Sequence, residues 1–273
     1  FIRKNKKDNY YGITLLDENN STPGWKKSKS FLEKFSNIHL EKGQDNTGNI
    51  FNEKNYLYLY KKFSKKFEII TGDGGIDFSL DYNDQENMAT RLILTQAIYA
   101  LTLQKRGGKF ILKMFDIFSK ISVDIIYLLS LYYEKVYIVK PYTSRYANSE
   151  KYIVCLNFNT CLTDGIINKF SNILKILNKI NFKNYKIVSL LDLNHSLYFM
   201  NNIEEINTIL GQRQIENILY TIKLIKNMDK SHDKINKYKI SNINKSIRWC
   251  QNNNIEFNTF DDILTPKNIF LNR

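Results

Sequence analysis

Short apolar runs of strand length alternate along this chain with longer segments of helical period, and that alternation restricts the fold more than any other feature. The runs are FEIIT (67–71), FILKMF (110–115) and KVYIVK (135–140). Between them lie 84–105, with apolar residues at Leu92, Leu94, Ala97, Ile98, Leu101 and Leu103, and ISVDIIYLLSLYY (121–133). Continuous apolar runs bounded by turn residues suit strands buried on both faces, and helices between them are the crossovers that parallel strands require. Gly107 and Gly108 are expected to stop the first helix as a C-cap. EKYIVCLNF (150–158) follows its predecessor after the connection 141–149, close enough for an antiparallel pair. YYGITLL (10–16) reads as a further buried strand. The polar stretch after it, with Pro23, Gly24, Gly43, Gly48 and many asparagines, reads mainly as loop.

These signals predict an α/β sheet, mostly parallel with one antiparallel strand near the edge, over residues 1–160. After about 160 the texture changes. IINKFSNILKILNKI and the segments 205–230 and 233–252 read as helices, and NYKIVSLLDL (184–193) is a candidate for one more strand. Residues 161–273 are therefore expected to form a mostly helical extension packed on the same domain.

Of the 273 residues, 43% are hydrophobic and 14% aromatic, enough to fill a core and to exclude disorder over the whole length. Forty basic against 27 acidic residues leave a net charge of +13. Such an excess suits a polyanionic partner, nucleic acid or an anionic membrane surface, and equally suits lysines that only solvate the surface. No apolar run reaches the length of a membrane span, and no segment joins a strong apolar face to a dense basic one. Cys155, Cys161 and Cys250 have no metal-ligand spacing and are too few for a disulfide scaffold, which points to a reducing compartment. His39, His195 and His232 are scattered, so no metal is expected.

Three stretches place one ionisable residue each at the end of a strand-like run. GDGGIDFS (72–79) carries Asp73, GGKFILKMFDIFS (107–119) carries Lys113, and KPYTSRYANSEKYIV (140–154) carries Glu150. An acid, a lysine and an acid at one sheet edge can hold a hydroxyl and take its proton. The tyrosine- and lysine-rich segment 55–67 fits a single-strand RNA surface and fits an amphipathic helix equally well. Trp25 and Trp249 are read as packing residues in preference to base-stacking ones.

The wording of these stretches, DGG, GGxFxxKxFD and KPxxSRxANSExYxV, resembles the FtsJ-like ribose 2′-O-methyltransferases, and among them the cap-specific mRNA enzymes. The resemblance runs from about residue 10 to 158 and extends weakly to SIRWC, near the end of the 233–252 helix. It implies a Rossmann-like methyltransferase fold, S-adenosyl-L-methionine as cofactor and capped mRNA as partner. It also implies a catalytic tetrad whose last three members are Asp73, Lys113 and Glu150, with Lys113 positioning and deprotonating the ribose hydroxyl. Asn83, Gln85, Ser144, Arg145 and Asn148 match positions that touch RNA; Asn83 also suits a cap of the 84–105 helix. Asn49 and Ile50, with Asp73, match cofactor-binding positions, although the place of Asn49 is usually an aspartate. The family's central first strand, its glycine-rich cofactor turn and the first tetrad lysine are expected upstream of Phe1. No membrane partner is expected, and a monomer is favoured. The implied location is intracellular, nuclear for a cellular protein and cytoplasmic for a viral one. A non-catalytic methyltransferase-like RNA-binding module is the alternative.

Overall fold

A computed structural model describes residues 7–16, 24–76, 84–142, 144–160, 162–182, 185–227 and 232–257. In chain order the elements are β1 (Tyr10–Ile13), a 3-10 turn (Lys26–Ser28) running into α1 (Lys29–Leu32), β2 (Ile38–Glu41), α2 (Glu53–Phe63), β3 (Phe67–Gly72), α3 (Gln85–Leu103) and β4 (Gln104–Met114). Then follow α4 (Lys120–Tyr132), β5 (Tyr133–Val139), β6 (Lys151–Phe158), α5 (Asp164–Lys179), α6 (Leu197–Lys226) and α7 (His232–Asn252). None of the described helices is long and apolar enough to cross a membrane.

β3, β4, β6 and β5 form one sheet in that order. β3 lies parallel to β4, while β6 runs antiparallel to both β4 and β5. This is the expected sheet, with one reversed strand next to the edge. β1 and β2 form a separate parallel pair, Tyr10 opposite Ile38 and Ile13 opposite Glu41. Among the described residues no ladder joins β1 to β3, in line with the sequence expectation. They approach through side chains, the Tyr11 ring lying 4.8 Å from Phe63 and 5.5 Å from Phe67. The core forms where α3 and α4 cover the sheet: Ala97, Ile98, Ile125 and Leu129 are fully buried with Phe110, Leu112 and Met114 of β4. Each buried Leu or Ile contributes about 1.5–3 kcal/mol.

The structure corrects several local expectations. The polar stretch after β1 is mainly irregular among its described residues, as expected, but it contains β2, too short to register as a pattern until it pairs with β1. α2 follows it, with Tyr56, Leu59 and Phe63 buried at helical spacing. The helix reading of the tyrosine-rich segment is thus the one realised. Trp25 packs: a Cβ on Gly12 would stand 2.9 Å from its ring.

Helix α3 ends at Leu103, before the two glycines. Gln104 is already extended, and its buried amide donates to Phe67 O (2.9 Å) and Glu68 O (3.1 Å) and accepts from the Tyr133 hydroxyl (3.0 Å). Those three bonds tie the residue that follows the helix to β3 and to Tyr133. Gly107, at φ 78°, sits instead in the irregular start of β4, where the register steps from Phe67↔Gln104 to Ile69↔Lys109.

The candidate strand at 184–193 does not form; residues 185–193 are irregular. They are held by Asp124, a fully buried carboxylate on α4. Its Oδ2 accepts from Ser189 Oγ (2.9 Å), Leu190 N–H (2.8 Å) and Leu191 N–H (3.1 Å). Its Oδ1 accepts from Lys120 Nζ (2.9 Å) and His195 Nε2 (2.7 Å). An apolar run cannot add a strand when its amides are already turned onto a side chain.

Contacts divide the chain into two compact units, Phe1–Lys140 with Glu150–Asn207, and Pro141–Ser149 with Thr208–Arg273. The first holds both sheets and α1–α5. The second holds the β5–β6 connection and most of the α6–α7 hairpin, in which the Tyr220 and Tyr238 hydroxyls meet at 3.0 Å.

Burial pushes the Asp124 carboxyl up, but hydrogen bonds from Lys120, Leu190, Leu191 and His195 outweigh it and hold it well below the usual carboxylate range. The depressed group stabilises the fold fully above the unfolded value near 3.8 and loses that contribution as pH falls toward the folded one. Asp124→Ala is expected to cost about 3–5 kcal/mol in denaturant unfolding at neutral pH, since it strands Lys120 and two amides. Asp124→Asn should lower stability at pH 7 and flatten the decline of stability below pH 4 relative to the parent protein.

Candidate active site

Parallel strands deliver their carboxyl ends to one edge, where ligands of open α/β sheets bind. Gly72 stands opposite Leu112 in the β3–β4 register, so the next residues on each strand, Asp73 and Lys113, are neighbours. Lys113 Nζ lies 2.9 Å from Asp73 Oδ1 and also donates to Asp73 O at 3.2 Å. The lysine stem is largely covered and the aspartate open, 14% and 65% exposed. An ion pair formed at the rim of the sheet therefore has its carboxylate turned to solvent.

The GDGG turn is fastened from below. Gly74 N–H donates to Gln96 Oε1 of α3 at 2.8 Å. A Cβ on Gly72 or Gly74 would stand 3.1 or 2.9 Å from that oxygen, while one on Gly75 would meet only Lys113 Nζ, at 3.9 Å. The glycines let the turn lie close against α3 and leave open space over the lysine. Gln96 was not singled out in the sequence, where it is one polar residue in an apolar helix.

Glu150 immediately precedes β6. In the antiparallel ladder Lys113 is opposite Tyr152 and Met114 opposite Lys151, so Glu150 shares a face with Tyr152 and lies diagonal to Lys113. The Tyr152 hydroxyl reaches 3.5 Å from Glu150 Oε1. Its pKa is raised by burial first, then by the charges of Asp73 and Glu150, so both carboxylates act on one phenol. Tyr152 is a residue that sequence reasoning missed; its signal is the Glu-x-Tyr spacing, which on a strand puts both side chains on one face.

Lys151 points the other way. It is buried, donates to Phe115 O at 2.8 Å and lies 3.7 Å from Asp116. Burial lowers the Lys151 pKa and raises that of Asp116. Lys140 Nζ donates to Glu150 O at 2.6 Å, which pins the entry to β6.

Asn49 and Ile50 sit on the turn between β2 and α2. Asn49 Oδ1 accepts from Phe51 N–H (2.9 Å), and its own N–H donates to Thr47 Oγ1 (3.1 Å). Ile50 is half-buried against the core. Asp45 organises this turn, accepting from Thr47 N–H (2.9 Å), Thr47 Oγ1 (2.7 Å), Asn55 Nδ2 (2.9 Å) and Asn52 Nδ2 (2.6 Å). Burial opposes its ionisation, yet these bonds hold its carboxyl well below the usual range. Gly48 has φ 65°, and a Cβ there would stand 1.9 Å from Thr14 O, so the turn closes directly on the chain leaving β1. Asp45 was also missed; the Asp-x-Thr spacing of an Asx turn is its signal.

The remaining candidates are dispersed. Asn83 lies outside the described residues. Gln85 is the first residue of α3, whose N-cap is Asp84 and not Asn83 as the sequence suggested. Asp84 accepts from Asn87 Nδ2 and from Lys186 Nζ, each at 2.7 Å. Ser144, Arg145 and Asn148 belong to the 141–149 connection of the second unit, where Ser144 N–H donates to Pro141 O (2.9 Å) and Asn148 N–H to Arg145 O (3.3 Å). Arg145 is exposed.

Comparison with known proteins gives the family. The family model of the FtsJ-like methyltransferases matches residues 2–158. Cap-specific mRNA (nucleoside-2'-O-)-methyltransferase 1 of Dictyostelium discoideum is 34% identical over 201 residues, 68% of this chain and 26% of that protein. The protein of the same name from Trypanosoma cruzi is 39% identical over 134 residues, 46% of this chain and 37% of that protein. Cap-specific mRNA (nucleoside-2'-O-)-methyltransferase 2 of Drosophila melanogaster is 37% identical over 120 residues, 42% of this chain and 17% of that protein. The chain thus spans between 17% and 37% of the length of these three relatives. The matched region contains the whole four-stranded sheet together with Asp73, Lys113 and Glu150, and the chain belongs to the FtsJ-like methyltransferase family.

Proposed function

We propose that this protein transfers a methyl group to the ribose 2′-hydroxyl of capped mRNA, with S-adenosyl-L-methionine as donor. The observation that carries the reading is the Lys113–Asp73 pair at 2.9 Å on the carboxyl ends of two parallel strands, with Glu150 on the same face of the adjoining strand. The names of the relatives support the choice of capped mRNA and of the 2′-oxygen.

An alcohol is a weak nucleophile at neutral pH and needs a base within hydrogen-bond reach. Lys113 Nζ is the candidate. Its covered stem and two bonds to Asp73 fix its direction, and the nitrogen still has one tetrahedral position for a ribose hydroxyl. In this mechanism the Lys113 ammonium first releases a proton to solvent; as the neutral amine it keeps its two bonds to Asp73, turns its lone pair to the 2′-hydroxyl and takes that proton as the oxygen becomes the nucleophile, which returns it to the ammonium. Asp73 and Glu150 orient the lysine and stabilise the positive charge it acquires. Tyr152, placed opposite Lys113, closes the floor of the site.

The residues present fit the cofactor in part. The open Asp73 carboxylate can accept hydrogen bonds beside Lys113, and the Asn49–Ile50 turn offers the side-chain amide nitrogen and one further lone pair of Asn49, since its oxygen already accepts from Phe51. When bound, S-adenosyl-L-methionine supplies an electrophilic methyl group on a sulfonium.

In the full-length protein, Lys113→Ala is expected to reduce methyl transfer to capped RNA about 10²–10⁴-fold while leaving RNA affinity within about twofold. Radiolabelled methyl incorporation and fluorescence anisotropy measure the two quantities, and undiminished transfer by the variant would overturn the role of Lys113. Calorimetric titration with S-adenosyl-L-methionine should show saturable binding that weakens in Asp73→Ala. An absence of any binding heat would favour the non-catalytic RNA-binding module.

A further inference from the structure

Helix α7 has two faces. Ile235, Ile243, Ile247 and Cys250 are half-buried on one of them. At about 100° per residue, Lys234, Lys237, Lys245, Arg248 and Trp249 fall within a stripe about 120° wide on the other, and all five are exposed. From Lys234 to Arg248 the stripe is about 21 Å long. Among the described residues none of its four cations pairs with a carboxylate. Elsewhere in the chain some lysines do, as Lys62 with Glu41, Lys105 with Glu68 and Lys186 with Asp84.

Within the same unit, Lys245 Nζ stands 5.6 Å from the centre of the Tyr142 ring, itself 60% exposed. Tyr142 lies on the connection that also carries Ser144, Arg145 and Asn148. Tyr238, 48% exposed, falls within the same stripe, and its hydroxyl meets that of Tyr220 of α6 at 3.0 Å.

Like charges three residues apart, Lys234 with Lys237 and Lys245 with Arg248, disfavour the helix that carries them. A polyanion laid along the stripe removes that repulsion and releases its own counterions. Trp249, 45% exposed beside Arg248, offers a ring to an unstacked base, which a single strand has and a duplex lacks. A membrane surface fits less well, because the apolar face of α7 is the one turned inward.

We propose that the outer stripe of α7, continued by Tyr142, binds single-stranded RNA, its cations on phosphates and Trp249 against a base. The inference rests on the reading of the protein as an RNA methyltransferase.

The test uses the full-length protein and a short labelled, uncapped single-stranded RNA, followed by anisotropy from about 50 to 300 mM salt. Lys234→Gln/Lys245→Gln/Arg248→Gln should weaken binding at least tenfold and flatten the slope of log affinity against log salt by about 2. Trp249→Ala should weaken single-strand binding at least fivefold and leave duplex binding unchanged. Lys29→Gln/Lys34→Gln/Lys42→Gln, which removes equal charge from the first unit, should retain the parent's affinity. Circular dichroism confirms that each variant keeps its helices.

Equal losses in the two triple variants would reduce the effect to net charge and overturn the proposal. So would unchanged RNA binding by the stripe variant, or a loss confined to anionic phospholipid vesicles. Methyl incorporation into capped RNA is measured in parallel. If the parent protein binds RNA through the stripe but transfers no methyl group, the proposed activity fails and the stripe stands. If transfer depends on Lys113 but the stripe variant binds normally, the reverse holds.

Discussion

Reversal of β6 between β4 and β5 is the constraint on which the site depends. Strands β3, β4 and β5 all run the same way and end at one edge of the sheet. A fourth parallel strand would bring only another carboxyl end there. Because β6 runs back, its beginning meets their ends, and Glu150 arrives diagonal to Lys113 without an intervening helix. The same reversal commits β6 to two antiparallel ladders, so a slip of one residue would turn Cys155 and Ile153 outward from the core and Glu150 away from Lys113. Packing and site geometry therefore enforce one register together.

Buried charge does a second kind of work in the first unit. Asp124 and Lys151 are both taken out of water and both answered by backbone groups: Asp124 by two amides at Leu190 and Leu191, Lys151 by the carbonyl of Phe115. Apolar side chains could fill the same volumes, but they could not choose between one path of the 185–193 segment and another. These two groups specify where irregular chain must lie, which hydrophobic contact leaves open.

What was legible in the sequence follows from the same physics. β3, β4, α3 and α4 were readable because each is long enough for its apolar pattern to stand out, and Asp73, Lys113 and Glu150 because each sits at one end of such a run, Glu150 at the start of its own. β2 was not, since IHLE carries no pattern of its own and becomes a strand only against β1. The end of α3 was misread because two glycines advertised a stop, while the chain had already turned extended at Gln104, whose side chain is bound to β3. Gln96, Tyr152 and Asp45 shape the turns and the face of the site, but the partner of Gln96 is a backbone amide 22 residues away, and Tyr152 and Asp45 meet polar side chains that apolar periodicity does not register. The failed strand at 184–193 has the same cause: its partner is a carboxylate more than sixty residues away.

Helix α3 has the character of a gauge. Gln96 grips the turn beyond one end of β3 through Gly74, and Gln104, just past the end of the helix, grips the other end through Phe67 and Glu68. The two glutamines are eight residues apart, and each added or removed residue between them would swing one by about 100° away from its target. Over this interval the chain's length is thus locked in steps of a whole residue, with no elastic allowance. Drift in sequence can exchange side chains along α3, but insertions and deletions have to fall elsewhere in the chain.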